Sequence, residues 1–308
     1  MSKLIITTGA SGFIGKVLCR QLIEANYDVV ALSRNPGEGN KLLPNEVNIV
    51  KWDAKTVQGW ANYADGAYAI VNLAGESIAT GRWTHIKKRR ILESRLNAGK
   101  AVVQAVEQAK NKPRVVIQAS GVGYYGGRAD EVLDESSSPG SGFLTEVAKQ
   151  WEESTNKVQS FGVRHVIIRT GVVLGPNGGF LSRVILPFRL FVGGRLGSGK
   201  QWISWIHIYD EVNAIRFFLE REDLQGVFNL SAPSPLTCKS FFGVLGRVMK
   251  RPSWLPVPGF ALRLVLGEMA KELILSGQRV VPKRLLESGY NFLYLDAKSA
   301  LREILTEN

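Results

Sequence analysis

The segment Thr8-Gly9-Ala10-Ser11-Gly12-Phe13-Ile14-Gly15 sets three glycines at GxxGxxG spacing. It follows a short apolar, β-branched run, Leu4 to Thr8, and opens a stretch of helical periodicity from Phe13 to Ala25. At a strand–helix junction each glycine has a use. Gly9 makes the tight turn. Gly12 has no Cβ to hold a pyrophosphate off the backbone. Gly15 lets the helix settle against the strand. Ser11, Phe13 and Ile14 then lie at the positive end of the helix, whose unpaired N–H groups suit phosphates. The chemistry implied is dinucleotide binding.

The end of the second strand, Tyr27 to Ser33, discriminates between dinucleotides. An NAD site places an acid there for the ribose 2′-OH. This chain has Ser33-Arg34. The fork of donors on Arg34 can pair with a 2′-phosphate and stack on adenine, so NADP(H) is predicted over NAD(H). A charge-assisted contact worth roughly 1.5–3 kcal/mol corresponds to about ten- to a hundredfold. The competing reading of Arg34 is a solvated loop charge. Asp53, after the third strand, is placed either to accept from the adenine amine or to cap a helix. Leu73-Ala74-Gly75 ends the fourth strand with residues small enough for a dinucleotide to cross the sheet edge.

Acid–base chemistry beside such a cofactor needs a proton donor. Ser120 ends the fifth strand. Tyr124 and Tyr125 follow on the loop above the C-terminal sheet edge, where ligands bind in such folds. One of these phenols is predicted to be the acid. The alternative is that both pack, one against the cofactor and one in the core. Residues Gly194 to Gln201 nearly spell a P-loop. Gln201 lacks the Mg²⁺-binding hydroxyl, however, and Trp202 to His207 reads as extended, which argues against a kinase or ATPase. The segment reads instead as a glycine-rich loop flanking a substrate cleft. Its cations, Arg183, Arg189, Arg195 and Lys200, either bind an anionic substrate or are solvated. His207 reads as a buried, hydrogen-bonded side chain. The run Lys87-Lys88-Arg89-Arg90 is either a solvated face or lies near cofactor phosphates.

The elements that must position these residues alternate between strand and helix. Further strands are predicted at Val47 to Trp52, Ala67 to Leu73, within Pro113 to Ser120, at Val163 to Thr170 and, last, at Gly226 to Leu230. Helices are predicted at His85 to Lys110, Gly142 to Gln159 and Asp210 to Glu220. The alternation means an α/β fold, a doubly wound Rossmann parallel sheet with helices on both faces. From Cys238 the pattern becomes helical, with segments 238–250, 259–276, 282–288 and 296–306. The expected division is a cofactor domain over residues 1–235, with a glycine-rich insertion at 174–205, and a smaller, mostly helical part over 236–308.

Composition excludes other classes. The chain has 308 residues, 45% of them apolar, 21% charged, with a net charge of +12, which suits a folded domain and anionic ligands rather than a disordered tail. No apolar run reaches the ~18 residues of a spanning helix, so no membrane partner is expected. No nucleic-acid motif accompanies the basic charge, so no nucleic-acid partner is expected either. Cys19 and Cys238 form no CxxC, and His85, His165 and His207 are scattered, so no metal site is predicted. The N-terminus runs at once into a strand, leaving the cytoplasm as the default location.

Taken together, the chain resembles an atypical extended short-chain dehydrogenase/reductase. It is most similar to the NAD(P)-dependent epimerase-like branch called "epimerase family protein", related to the giant chloroplast division protein. The resemblance rests on TGASGFIG at 8–15, VNLAGE at 71–76, ASGVGYYG at 119–126, IRTGVVLG at 168–175, GGRLGSGKQWISWIHIYD at 193–210 and GQRVVPKRLLESGY at 277–290. It implies bound NADP(H), with Ser33 and Arg34 on the 2′-phosphate, Leu73 and Ala74 along the dinucleotide, and Arg95 and Val173 touching it from neighbouring elements. The substrate is undefined, and a homodimer or protein partner is compatible. Ordinary superfamily members carry YxxxK on the helix after the fifth strand. Here those slots hold Leu144 and Ala148, or Thr145 and Lys149 one residue on. The only YxxxK, Tyr294 to Lys298, lies beyond the last strand and reads as coincidence. General acid–base help is worth roughly 10²–10⁴-fold, so the departure supports a second reading, a non-catalytic NADP(H)-binding regulator acting through a protein partner.

Overall fold

The computed structural model describes residues 3–176 and 178–306. Seven strands form one parallel sheet: β1 Leu4–Thr8, β2 Asp28–Ser33, β3 Asn48–Lys51, β4 Ala69–Asn72, β5 Val115–Gly121, β6 Arg164–Thr170 and β7 Gly226–Leu230. Their order is β7-β6-β5-β4-β1-β2-β3, and every ladder is parallel. The order reverses between β1 and β4, the switch point at which open α/β sheets bind ligands. The Rossmann α/β class expected from the alternation is thus the fold.

β1 shows why these runs are apolar on both sides. Ile5 packs into one helical layer and Ile6 into the other, so neither face can be polar. The first layer contains α1 Phe13–Glu24 and α6 Ile208–Glu220. The second contains α3 His85–Gln108, which starts on the Thr84 side chain as it accepts from the N–H of Lys87 at 3.2 Å.

Other segments depart from expectation. A short helix, α2 Pro36–Leu42, follows β2. The helix expected over 142–159 is α4 Phe143–Glu153 followed by a 3-10 turn, Asn156–Phe161, stopped at Gly162 with φ of +74°. The insertion holds α5 Leu181–Arg189 and three short segments, 172–174, 202–203 and 205–207. Two of these three pair with each other, 172–174 with 205–207, and the third pairs with 236–237. β7 is not the last strand, because Arg279–Val280 pairs with Val132–Leu133.

The C-terminal part contains α7 Cys238–Met249, α8 Gly259–Leu266, α9 Lys283–Glu287 and α10 Ala297–Thr306. The helix expected over 259–276 breaks at Gly267, whose φ is +62°, and resumes as a π turn at Ala270–Ile274. This part is tied back to the sheet domain. Asp210 accepts from the N–H groups of Leu293 at 2.7 Å and Tyr294 at 3.0 Å. Glu135 accepts from Asn229 N at 2.9 Å and Arg284 N at 3.3 Å. Ser204 donates to the Gln278 carbonyl at 2.6 Å.

Candidate cofactor and active site

The glycine loop has the geometry its spacing demands. Gly9 sits at φ +66°, and a Cβ there would come within 2.8 Å of the Leu73 carbonyl oxygen. The β1 turn therefore presses directly on the end of β4. A Cβ on Gly15 would lie 2.3 Å from the Gly9 carbonyl oxygen and 2.7 Å from Ala10 Cα, so only glycine lets α1 seat here. Gly12 is the N-cap of α1 and offers no side-chain cap, leaving first-turn N–H groups for a ligand. Ser11 and Gly12 are exposed, and Phe13 and Ile14 are half-buried.

Phe13 shows a use for the 175–179 glycines that spacing did not suggest. A Cβ on Gly175, Gly178 or Gly179 would fall 3.0, 2.5 or 2.9 Å from its ring. This loop lies over the phosphate loop rather than simply lining a substrate cleft. Beside it, an Arg183 Nη1 donates to the carbonyl of Ala79, tying α5 across to the segment after β4. Val173, on the segment leading into this loop, is half-buried.

At the end of β2, Arg34 is exposed and Ser33 accepts from the N–H of Asn35 at 3.2 Å. Glu76 is held below the usual carboxylate range, first by the hydrogen bond from Lys87 and also by the charges of Lys87, Arg34 and Arg90. Arg34 and Arg90 therefore share one electrostatic neighbourhood. Of the basic run, Lys87 binds Glu76 at 2.6 Å and Lys88 binds Glu268 at 2.9 Å. Asp53 caps a turn: its Oδ1 accepts from Lys55 N and Thr56 N, each at 2.8 Å, and its Oδ2 from the Thr56 hydroxyl at 3.0 Å. These bonds lower its pKa. The cap is formed on this turn, not on a helix, which begins only at Ala61.

Beneath the edge runs a buried polar chain that spacing could not reveal. Thr8 donates to Asn72 at 2.6 Å, Asn72 to Gln118 at 2.8 Å, and Gln118 to the Ala119 carbonyl at 2.7 Å. Thr8 also accepts from the N–H of Ala74 at 3.1 Å, fixing the Leu73-Ala74-Gly75 backbone. Gly75 leaves room for the Arg95 guanidinium, which a Cβ would meet at 2.9 Å and displace. Arg95 donates to the carbonyls of Glu76 at 3.0 Å and Ile91 at 2.8 Å, and stacks over Trp151 at 4.6 Å. Burial pushes its pKa down to about 10.

The catalytic candidates separate into different environments. Ser120 donates to Glu152 Oε1 at 2.6 Å. Arg169 grips the same carboxylate with Nε and Nη2, each at 2.8 Å, and donates from Nη1 to the Tyr125 hydroxyl at 3.1 Å. Tyr125 in turn donates to Asn229 Oδ1 at 2.7 Å. It is fully buried, and burial raises its pKa to about 12. The expectation that Tyr125 could serve as the acid is corrected here: its hydroxyl is spent inside the core. Ser120 is likewise buried and committed to Glu152. Tyr124 differs. It is half-buried, the Arg169 guanidinium lies 3.3 Å from its ring centre, and its hydroxyl has no hydrogen-bond partner among the described residues.

The YxxxK slots carry no substitute. Thr145 donates to the Gly123 carbonyl at 3.1 Å, and Lys149 pairs with Glu146 at 3.3 Å. The N-terminus of α4, where the tyrosine would stand, is instead capped from the C-terminal part. Glu272 accepts from Phe143 N and Leu144 N, both at 3.0 Å. A pocket of about 30 Å³ remains between Gly123, Leu144, Thr145, Glu272 and Ser276. Sequence reasoning also missed Glu211. It is fully buried, accepts from the Thr170 hydroxyl at 2.8 Å, and its Oε2 has no partner among the described residues. Burial raises its pKa to about 8.

The two decoys resolve as expected. The near-P-loop is followed by a strand at Trp202–Ile203, not a helix. His207 is buried, accepts from Tyr209 N at 3.2 Å and lies 2.7 Å from Glu303. Among the described residues no cluster of His, Cys, Asp or Glu could hold a metal ion, and no helix is long and apolar enough to cross a membrane.

Comparison with known proteins agrees with this architecture. The NAD dependent epimerase/dehydratase family matches residues 5–231, and a domain of unknown function, DUF1731, matches residues 257–304. The "Epimerase family protein SDR39U1 homolog, chloroplastic" of Arabidopsis thaliana is 40% identical over 98% of this chain and 86% of that protein. The epimerase family protein YfhF of Bacillus subtilis is 39% identical over 98% of each. The crystal structure of human epimerase family protein SDR39U1 (isoform2) with NADPH superposes with a TM-score of 0.88 at 30% identity, covering 99% of this chain and all of that one. On its glycine loop, its switch-point edge and these matches, the chain belongs to the NAD dependent epimerase/dehydratase family.

Proposed function

We propose that this protein binds NADP(H) at the switch-point edge and acts as an oxidoreductase or epimerase on a small, anionic substrate. The observation that carries the reading is the uncapped start of α1 behind Gly9 and Gly12, with Arg34 at the end of β2 where an NAD site would hold an acid. The residues fit the group. The first-turn N–H groups of Phe13 and Ile14, which no side chain caps, suit a diphosphate, and Arg34, with Arg90 in the same neighbourhood, suits a 2′-phosphate. The related human protein carries NADPH in its structure. When bound, the nicotinamide supplies a hydride donor or acceptor. The chain's own part is to orient it along Leu73-Ala74-Gly75 and to move a proton at the Tyr124 hydroxyl. Arg169, stacked on that ring and locked by Glu152, holds the phenol in place.

Fluorescence titration of NADPH and NADH tests the reading. NADPH is expected to bind about ten- to a hundredfold more tightly, and Arg34→Asp to abolish the preference while sparing NADH. Equal affinities in the wild type would refute it. A non-catalytic NADP(H)-binding regulator, working through a protein partner, is the second reading. Leu144 and Ala148 in the usual catalytic slots favour it.

A further inference from the structure

Two segments of the chain contain no acidic residue at all, 154–209 and 224–267. The fold lays the ends of these segments side by side. Trp254 N and Leu255 N donate to the Gly193 carbonyl, at 3.1 and 3.2 Å, and the Trp254 indole donates to the Phe191 carbonyl at 3.1 Å. The Arg251 guanidinium covers the Phe191 ring at 4.4 Å. Val257 N then donates to the Arg195 carbonyl at 2.9 Å, and α8 begins two residues later.

What this corner shows to solvent is apolar. Leu190, Phe191 and Trp254 are 62, 53 and 66% exposed, and on α8 Phe260, Leu264 and Val265 are 75, 76 and 69% exposed. None of the α8 residues is buried. α8 sets Leu266 against the cluster around Trp83 and Met269 and leaves Ala261 and Leu262 half-buried, but it turns Phe260, Leu264 and Val265 outward, an apolar face suited to a partner outside the fold. The exposed charges on the segments that carry these side chains are positive, Arg189, Arg247, Lys250 and Arg263, and the exposed acid just after α8, Glu268, is paired with Lys88 at 2.9 Å.

We infer that this corner is a docking surface for an anionic lipid bilayer. The charge points to an anionic partner. The shape points to a fluid one, since the apolar side chains stand out from the surface at up to 76% exposure rather than lining a groove for a complementary peptide. Trp, Phe and Leu flanked by Arg and Lys are the side chains that settle at the headgroup boundary. The absence of a spanning helix does not bear on this, because a surface contact inserts only side chains.

Vesicle co-sedimentation tests it with the full-length protein. Vesicles of phosphatidylcholine containing phosphatidylglycerol should pull the protein down, pure phosphatidylcholine should not, and added salt should weaken the binding. Trp254→Ser with Phe260→Ser should lower partitioning by roughly tenfold or more, given the apolar surface each side chain would bury. Arg189→Glu with Arg263→Glu should abolish the preference for the anionic lipid. All four positions are exposed, so unchanged melting and NADPH titration would show the variants intact. Failure of the wild type to bind anionic vesicles at low salt overturns the inference. So does undiminished binding by both variants. A concentration-dependent dimer that the Trp254/Phe260 variant dissolves, without vesicle binding, would assign the surface to a second copy of the chain instead.

Discussion

Glu211 keeps a carboxyl where water does not reach, with one oxygen on Thr170 and the other unpartnered among the described residues. Its pKa rises from 4.5 to about 8 on folding because burial disfavours the charge. The folded chain therefore retains a proton that the unfolded chain loses, and stability falls as pH climbs between about 4.5 and 8. Glu211→Gln, assayed without cofactor, should erase this dependence. Its gain over wild type should be smallest near pH 4.5 and largest near pH 8, by about 2–4 °C in Tm per kcal/mol. Melting curves that stay parallel across this window would contradict the assignment. The two tyrosines make a second contrast. Tyr125→Phe leaves Asn229 and Arg169 short of a buried partner and should cost about 1–3 kcal/mol in urea unfolding. Tyr124→Phe should leave stability nearly untouched and slow NADPH turnover by roughly 10²–10⁴ in a carbonyl screen; equal effects of the two variants on stability and turnover would rule out this division of roles. Sequence placed both phenols on the correct loop. It could not separate them, because what buries Tyr125 comes from β6 and β7, distant along the chain.

Helix α4 illustrates how an element can be legible while its setting is not. Its periodicity is local, but its N-terminal cap, Glu272, arrives from a π turn more than a hundred residues later. Glu272→Ala frees two N–H groups and should cost about 0.5–2 kcal/mol by the measure of other caps. Chemical denaturation reads this directly, and an unchanged midpoint would mean that water caps the helix equally well. β1, α1 and β7 were readable for the same reason that α4 was: their burial pattern repeats within a few residues. The insertion was not. Glycines on either side hid α5, and those at 175–179 serve the ring of Phe13 rather than a turn signal. The break of the expected 259–276 helix at Gly267 was within reach, since an isolated glycine is a known helix terminator.

At the scale of the molecule, two family profiles meet in one chain, over residues 5–231 and 257–304. The ties between the two regions are buried or half-buried: Asp210 to Leu293 and Tyr294, Glu135 to Arg284, Glu272 to α4, and the ladder of Arg279–Val280 on Val132–Leu133. Partners of this kind melt together. Scanning calorimetry should therefore give one cooperative transition with equal calorimetric and van't Hoff enthalpies. Two resolved peaks would mean that the regions unfold independently. The parallel order of the sheet and its switch point were foreseeable from β–α alternation alone. The mutual bracing was not, because each tie joins residues far apart in sequence.

The Arg183 bond to Ala79, together with the loop closed over Phe13, has a kinetic meaning. On the proposed reading, a dinucleotide laid on the Gly12 turn would have to pass this tie on entry and on exit alike. A tie equally strong with the site empty or filled would slow both rates together and leave the equilibrium where it was. Residence, then, is decoupled from affinity. Under the proposed activity, such a protein would work best when the dinucleotide is regenerated in place within each turnover, and would be throttled whenever a spent one must be exchanged for fresh.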